Sequence, residues 1–376
     1  MSLSSPRYGR IATKIIWGNT LVNSHFGGIT LVGYYGYDNL GDDLLLLSSL
    51  SLIEEAGYRG KVYIPAKSGI SRPLESVSFK MQVEVIPRFS FGGIMSALKR
   101  SSLVIFGGGN LFQDETSSRS FNYYHYIAKR SLKNGSKLLL LSQGFGQIKK
   151  RSNFERLKSI LGHPQTYSLL RDRVSARYNS FFSSNAYSGT DYGPYVLFRQ
   201  QLIPPCERKK SGIAVVVLKN GTPASRVISI LEEKGIKSIA AIGFHNNHDN
   251  VKKEELEAFA RKRGLEVLSP QRDWRSLVSL FSDAEIVISE RLHGVILALT
   301  LGVPFVWRSS KKNDRFVESI DSSLKLSYDR TGNGLEEKVA LAMESNICPL
   351  RDRYVEELEV TASNCKELIS RLLARE

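Results

Sequence analysis

The sequence predicts an α/β protein made of two doubly wound (Rossmann-like) domains that face each other across a cleft. Three observations carry the prediction. The chain has 376 residues, too many for one comfortable core and enough for two domains of about 150–200 residues each. Short, fully apolar runs alternate with segments of helical period, as in a parallel sheet covered on both faces. That alternation breaks at "FRQQLIPPCERKKSG", where paired prolines, charges and a glycine mark a linker, and then begins again. The expected division is residues 1–205, residues 206–350, and a C-terminal helix over 351–376 that packs back on the first domain.

In the first domain, "GGITLVGYYG" is β-rich and ends in glycine, and "DDLLLLSSLSLIEEAG" follows with helical spacing and stops at Gly57. The runs "KVYIPA", "SSLVIFGGG", "SKLLLLSQGFG" and "TYSLLRD" read as further strands. After the linker come "GIAVVVLK", "IKSIAAIGF", "LEVLSP", "AEIVISE" and "VPFVW", with helices such as "KKEELEAFARKRG" and "WRSLVSLFSD" between them. The tail, "LRDRYVEELEVTASNCKELISRLLARE", is an amphipathic helix. Two such domains place their ligand crevices at the carboxyl ends of the strands. Chemistry is therefore expected in the residues that directly follow strands.

Composition narrows the classes. A hydrophobic fraction of 42% with 24% charged residues belongs to an ordinary globular protein. No uninterrupted apolar run is long enough to span a bilayer. The opening "MSLSSPRYGRIATK" lacks the apolar block and cleavage site of a signal peptide, so a cytoplasmic location is expected. Cys206, Cys348 and Cys365 show no metal or redox spacing and read as reduced structural thiols. "FHNNH" brings His245 near His248 without adjoining carboxylates, which favours a polar loop over a metal site. No metal is expected. The balance of 52 Lys+Arg against 37 Asp+Glu gives +15, a charge that favours anionic partners. Nucleic acid is not expected, because the basic residues are scattered and no recognition motif accompanies them. An anionic membrane surface explains the charge equally well.

Four strand ends in the first half carry polar or glycine-rich loops. In "GYYGYDNLGDD", Gly33, Gly36 and Gly41 allow tight turns, and Asp42 and Asp43 suit the positive end of a helix. Turn and site are equally open readings of this stretch, which also contains Asn39. Gly107, Gly108 and Gly109 after "SSLVIF" fit either a ligand's approach or close helix–sheet packing; Asn110, Gln113 and Asp114 follow at once. Ser142, Gln143, Gly144 and Gly146, with Lys149 and Lys150, form a candidate anion cradle of exposed backbone N–H groups beside lysine. "YSLLRD" ends in Arg171 and Asp172.

The sharpest motif is "ISERLHGVILALTLGVPFVW". Glu290, Arg291 and His293 stand between two apolar runs that must be buried. Arginine cannot shed its charge, and a buried charge needs a partner. That partner is Glu290, in the bland reading, or an anionic ligand. Lys311, Lys312 and Arg315 in "RSSKKNDRF" add cations at the same sheet edge. Together these residues make a cationic pocket with one titratable histidine.

Taken in order, "GYYGYDNLGDD", "GGGNLFQD", "SQGFGQIKK", "LRD" and "SERLHG…ALTLGVPFV" followed by "KKNDRF" resemble the polysaccharide pyruvyltransferase family. The resemblance spans Gly33 to Phe316. It implies a fold like that of the B-type glycosyltransferases, phosphoenolpyruvate as co-substrate, no cofactor, and a pyruvate ketal placed on two hydroxyls of a cell-surface polysaccharide sugar. The acceptor side would be the first domain and the donor side the second. By position, His293 looks like the general acid, and Arg291, Lys312, Arg171 and Lys149 like donor contacts. Asn39, Gly41, Asp42, Gly108, Gly109, Asn110, Asp114, Gln143 and Gly144 look like further substrate loops. Lys149 stands where the family often has arginine, which exchanges a forked donor for a point charge. Asp43 stands where the family often has glutamate.

The donor would bring a phosphate and a carboxylate, so several cations are needed around one proton donor. Histidine suits that proton transfer because its unperturbed pKa of about 6.5 lies near working pH. An anionic donor should favour the imidazolium, and Arg291 should oppose it. Asp38, Asp42 and Asp114 are the candidate bases. Phe112, Tyr123, Tyr124, His125 and Tyr126 either face a sugar ring or pack a helix. A lipid-linked acceptor and peripheral contact with the membrane's inner face fit the charge. Two other classes stay open: a sugar-nucleotide-dependent glycosyltransferase, with Glu318 or Glu290 as its carboxylate, and a non-catalytic polyanion-binding protein supported by net charge alone.

Overall fold

The computed structural model describes residues 27–374 except 116 and 220, so the opening fourteen residues lie outside the described part. The first sheet contains β1 (Gly28–Val32), β2 (Lys61–Ala66), β3 (Gln82–Pro87), β4 (Ser101–Gly109), β5 (Lys137–Gln143), β6 (Thr166–Leu170) and β7 (Ala186–Ser188). The second contains β8 (Ile213–Val217), β9 (Ser238–Ala241), β10 (Glu266–Val267), β11 (Ile286–Ser289), β12 (Phe305–Arg308) and β13 (Ser327–Tyr328). Their orders are β3-β2-β1-β4-β5-β6-β7 and β10-β9-β8-β11-β12-β13, and neighbouring strands run parallel, as in β1–β4 and β8–β11. Each order reverses beside its first strand, between β1 and β4 and between β8 and β11. Outside the carboxyl ends of such strands a doubly wound sheet leaves its crevice.

The central strands are apolar because helices cover both faces: Leu103 to Phe106 and Leu138 to Leu141 have no exposed surface. The helix Leu40–Glu55 (LGDDLLLLSSLSLIEE) is buried almost all round. A helix apolar on every side needs cover on every side. Here Leu45, Leu46 and Leu50 enter the first domain's core, while Leu40, Leu44 and Leu47 enter the core of the second. The helix Cys348–Leu373 begins on the second domain through Leu350 and Tyr354. It then crosses to the first through Leu358, Ala362, Cys365 and Ile369.

Backbone hydrogen bonds also tie the domains together. Asn39 pairs with His245 in an antiparallel bridge, the Leu40 N–H donates to the Phe244 carbonyl at 2.9 Å, and the Asn246 N–H donates to the Asp38 carbonyl at 3.2 Å. The Arg315 guanidinium adds a side-chain bond to the Phe145 carbonyl at 3.0 Å.

One sequence expectation is overturned. Cys206 and Cys348 form a disulfide with a Cα–Cα distance of 5.8 Å across 142 residues; only Cys365 is a free, buried thiol. The two crossings of the chain between domains meet there, which spacing along the sequence does not reveal. No helix among the described residues is long and apolar enough to cross a membrane.

Candidate active site

The site assembles where the strand ends of the two domains face each other. His293 lies in the first turn of the helix Leu292–Leu301, directly after β11. Its ring rests against the start of the helix Leu40–Glu55, where a Cβ on Gly41 would collide with the imidazole. Glycine at this position is therefore what lets the second domain's histidine reach the first domain. The His293 side chain keeps 15% of its surface exposed, and its Nε2 lies 3.8 Å from Asp191 Oδ2. That nitrogen has no hydrogen-bond partner among the described residues. Burial pushes the ring's pKa down to about 4; Asp191 opposes this, and Arg171 and Lys312 add to it. The opposing cations are thus Arg171 and Lys312, whereas Arg291 had been expected.

Arg171 enters from the end of β6. One guanidinium nitrogen donates to Asp191 Oδ2 at 3.0 Å and another to Asn110 Oδ1 at 2.6 Å. A Cβ on Gly144 would meet Arg171 Nε at 2.8 Å, so this glycine clears its path. Asp191 is fully buried and also accepts the Gly193 N–H at 3.0 Å. It links histidine and arginine without standing out in the sequence. Its only signal is a short "SGTDYGP" loop after β7.

Asp42, in the first turn of the helix Leu40–Glu55, feels Lys312, Arg171 and Arg291 as well as Asp191. Even so, burial dominates and lifts its pKa to about 7. Lys312 is exposed as a residue but contributes to the wall of the cleft. There desolvation and then Arg171 pull its pKa down to about 8, with Asp42 opposing. A cavity of about 270 Å³ opens between the domains, lined among others by Asn110, Gly144, Arg171, Lys311, Lys312 and Arg315. Its size falls just under the range of about 300–1,000 Å³ that holds drug-sized ligands, which suits a small anion.

Arg291 is held elsewhere than expected. Its Nε donates to Asp249 Oδ2 at 3.2 Å and a second nitrogen donates to Asp249 Oδ1, so the pair is two-pronged. Glu290 is not its partner. That carboxylate accepts from Thr222 at 2.7 Å and from the Lys219 N–H at 2.8 Å, and pairs with Arg308 at 3.0 Å. Glu290 is therefore fully engaged, and Glu318, the other candidate carboxylate, is exposed.

Several loop residues serve the scaffold. Asn39 caps its helix by accepting the Gly41 N–H at 3.2 Å. Gln143 donates to the Gly108 carbonyl at 2.5 Å and accepts the Leu111 N–H at 3.2 Å, which clamps the glycine run. Gly108, at φ +64°, has Leu45 where a Cβ would be, so packing explains it. Gly109, at φ +87°, has only Asp42 and Leu111, both at 3.9 Å, and opens toward the site. Asp114 accepts the backbone N–H groups of Lys149 and Lys150 at 2.6 and 3.1 Å and the Asn153 amide at 2.8 Å. Its oxygens are thereby spoken for, which removes it as a base. Lys149 is exposed and is not part of the cavity wall; its ammonium reaches the Glu115 carbonyl at 3.5 Å. Asp38 is 3.7 Å from Arg72. Phe112, Tyr124 and His125 are buried, and the His125 ring contacts Arg156 at 2.9 Å, so most of that aromatic helix is core. The His245 and His248 rings lie 4.3 Å apart and tilted at 52°, and no group of three or more metal-type ligands occurs among the described residues.

Two facing doubly wound domains with their site at the junction define the architecture of the B-type glycosyltransferases and of the related UDP-GlcNAc 2-epimerases. The chain superposes on UDP-GlcNAc 2-epimerase from Neisseria meningitidis, solved with UDP-GlcNAc, with a TM-score of 0.60 at 11% identity over 92% of this chain and 99% of that one. It superposes on a glycosyltransferase from Rickettsia africae with a TM-score of 0.57 at 11% identity over 93% and 100%. At such identity the likeness concerns fold alone. The sequence profile described as "Polysaccharide pyruvyl transferase" matches residues 39–312, and the chain belongs to that family. No curated protein matches it in sequence.

Proposed function

We propose that the protein transfers the enolpyruvyl group of phosphoenolpyruvate onto two hydroxyls of a saccharide and releases phosphate. The observation that carries this reading is a histidine with an unpartnered Nε2 set beside Arg171 and Lys312 at the domain junction. The donor contacts are Arg171 and Lys312, which line the cavity; Arg291 and Lys149, named with them from the sequence, do not line it.

In the free protein the His293 ring is neutral near pH 7. A donor carrying a phosphate and a carboxylate neutralises Arg171 and Lys312 and thereby raises the pKa of the ring. The imidazolium then gives its proton to the methylene carbon, which becomes a methyl group, and C2 becomes oxocarbenium-like. The first sugar hydroxyl adds to C2 and gives its proton to Asp42, whose pKa of about 7 suits a base. The C–O bond to phosphate breaks, the second hydroxyl adds to the same carbon, and its proton leaves with the phosphate. The proton held by Asp42 returns to His293 through solvent, so in the balance one hydroxyl proton is replaced on the new methyl group and the other leaves on phosphate. No resident cofactor is needed for these steps. The acceptor belongs to a cell-surface polysaccharide or its lipid-linked precursor, processed at the inner face of the membrane.

Phosphate release from phosphoenolpyruvate, screened over synthetic neutral and amino-sugar acceptors, tests the reading directly. A melting shift with phosphoenolpyruvate that exceeds those with a UDP-sugar and with heparin supports it. A larger shift with the UDP-sugar replaces it by sugar-nucleotide chemistry.

A further inference from the structure

We propose that the face formed by the helices Phe91–Arg100 and Ser118–Lys133 docks the protein on an anionic bilayer. Large aromatic residues are rarely left in water, yet Phe89 is 75% exposed, Phe91 65% and Tyr126 40%. Two of them meet: the Phe91 and Tyr126 rings are 5.9 Å apart, and the Tyr126 hydroxyl donates to Met95 Sδ at 3.5 Å; Phe89 stands two residues before Phe91 in the chain. On the two helices themselves the charge has one sign. Neither "FGGIMSALKR" nor "SRSFNYYHYIAKRSLK" contains an acidic residue, although the chain as a whole has 37. Exposed Lys99 and Arg100 lie on the first helix, and exposed Arg119, Lys129 and Lys133 on the second. Aromatic rings at headgroup level with lysine and arginine reaching anionic lipid phosphates are the chemistry of a bilayer surface.

A chain of packed side chains joins the patch to the site. Phe89 lies 6.4 Å from Tyr123, Tyr123 stacks under Arg88 at 4.2 Å, and Arg88 lies 5.3 Å from Tyr37. Tyr37 in turn stacks on Tyr34 at 3.9 Å, and Tyr34 feels the charge of Asp42. The inference deepens the function proposed above, because a saccharide carried on a lipid would reach Asp42 and His293 from this side.

Flotation of the full chain with phosphatidylcholine vesicles, with and without phosphatidylglycerol, tests the docking without any turnover, so its failure leaves the proposed reaction standing. The wild type should float only with phosphatidylglycerol. Phe89→Ser with Phe91→Ser, and separately Lys129→Glu with Lys133→Glu, should each weaken binding by more than about tenfold. Lys237→Glu with Lys262→Glu, the same charge change at exposed positions of the second domain, should leave binding within about twofold. A Phe91→Trp variant should show blue-shifted emission on the acidic vesicles. Equal loss in the control pair, unchanged binding in both patch variants, or no shift at position 91 overturns the proposal.

Discussion

His293 combines poor solvation, an orphaned ring nitrogen and two cations within electrostatic reach, so its proton depends on what anion shares the site. His293→Gln should lower phosphate release by about 10²–10⁴-fold while circular dichroism stays unchanged; turnover at the wild-type rate would remove the residue from the mechanism. Asp42 behaves in the opposite sense. Its folded pKa, raised to about 7, lies above its unfolded value of about 3.9, so the stability it contributes is present below pH 4 and lost as pH rises to about 7. Asp42→Asn should therefore melt higher than wild type at pH 8, with the gain fading toward pH 4, and should have lost activity throughout. Asp249→Ala would leave Arg291 without its counter-charge. The penalty should fall near the lower end of about 3–5 kcal/mol, because the guanidinium keeps 22% exposure, and should be read as reduced chemical stability. The histidine and the arginines were legible in the sequence because they interrupt apolar runs. Asp191 and Asp249 were not, since each lies far along the chain from the cation it serves.

The helix Leu40–Glu55 does more than fill a core: its first turn is the floor on which the His293 ring rests. Gly41→Ala should abolish most activity by displacing that ring, with the helix itself retained because alanine is the better helix former; wild-type kcat in this variant would show the contact to be dispensable. The alternation of apolar runs made the central strands readable from the sequence. β3, β7 and β13 were missed, and all three are edges. An edge strand has one neighbour and much of its surface in water, so β3 shows only a partly buried pattern and no apolar run to detect. The glycine loops were located correctly as strand ends, but the sequence could not separate Gly108, filled by Leu45, from Gly109, which stays open. That difference depends on a side chain of another element.

At the scale of the whole molecule, apolar contacts and backbone hydrogen bonds join the halves, and the disulfide adds a covalent link. Reduction with dithiothreitol, or Cys206→Ser, should lower the melting temperature, typically by the equivalent of about 2–4 kcal/mol; an unchanged melting curve would mean that the thiols are unpaired in solution. The link joins the outbound strand of linker at Cys206 to the returning helix at Cys348, so both passages between the halves lie along one spine, like the binding of a book. With the binding sewn, opening reduces to a single angle, and one pair of spin labels across the cleft should report it as one narrow distance distribution. Unpicking that stitch frees a twist between the covers, and the same distribution should broaden.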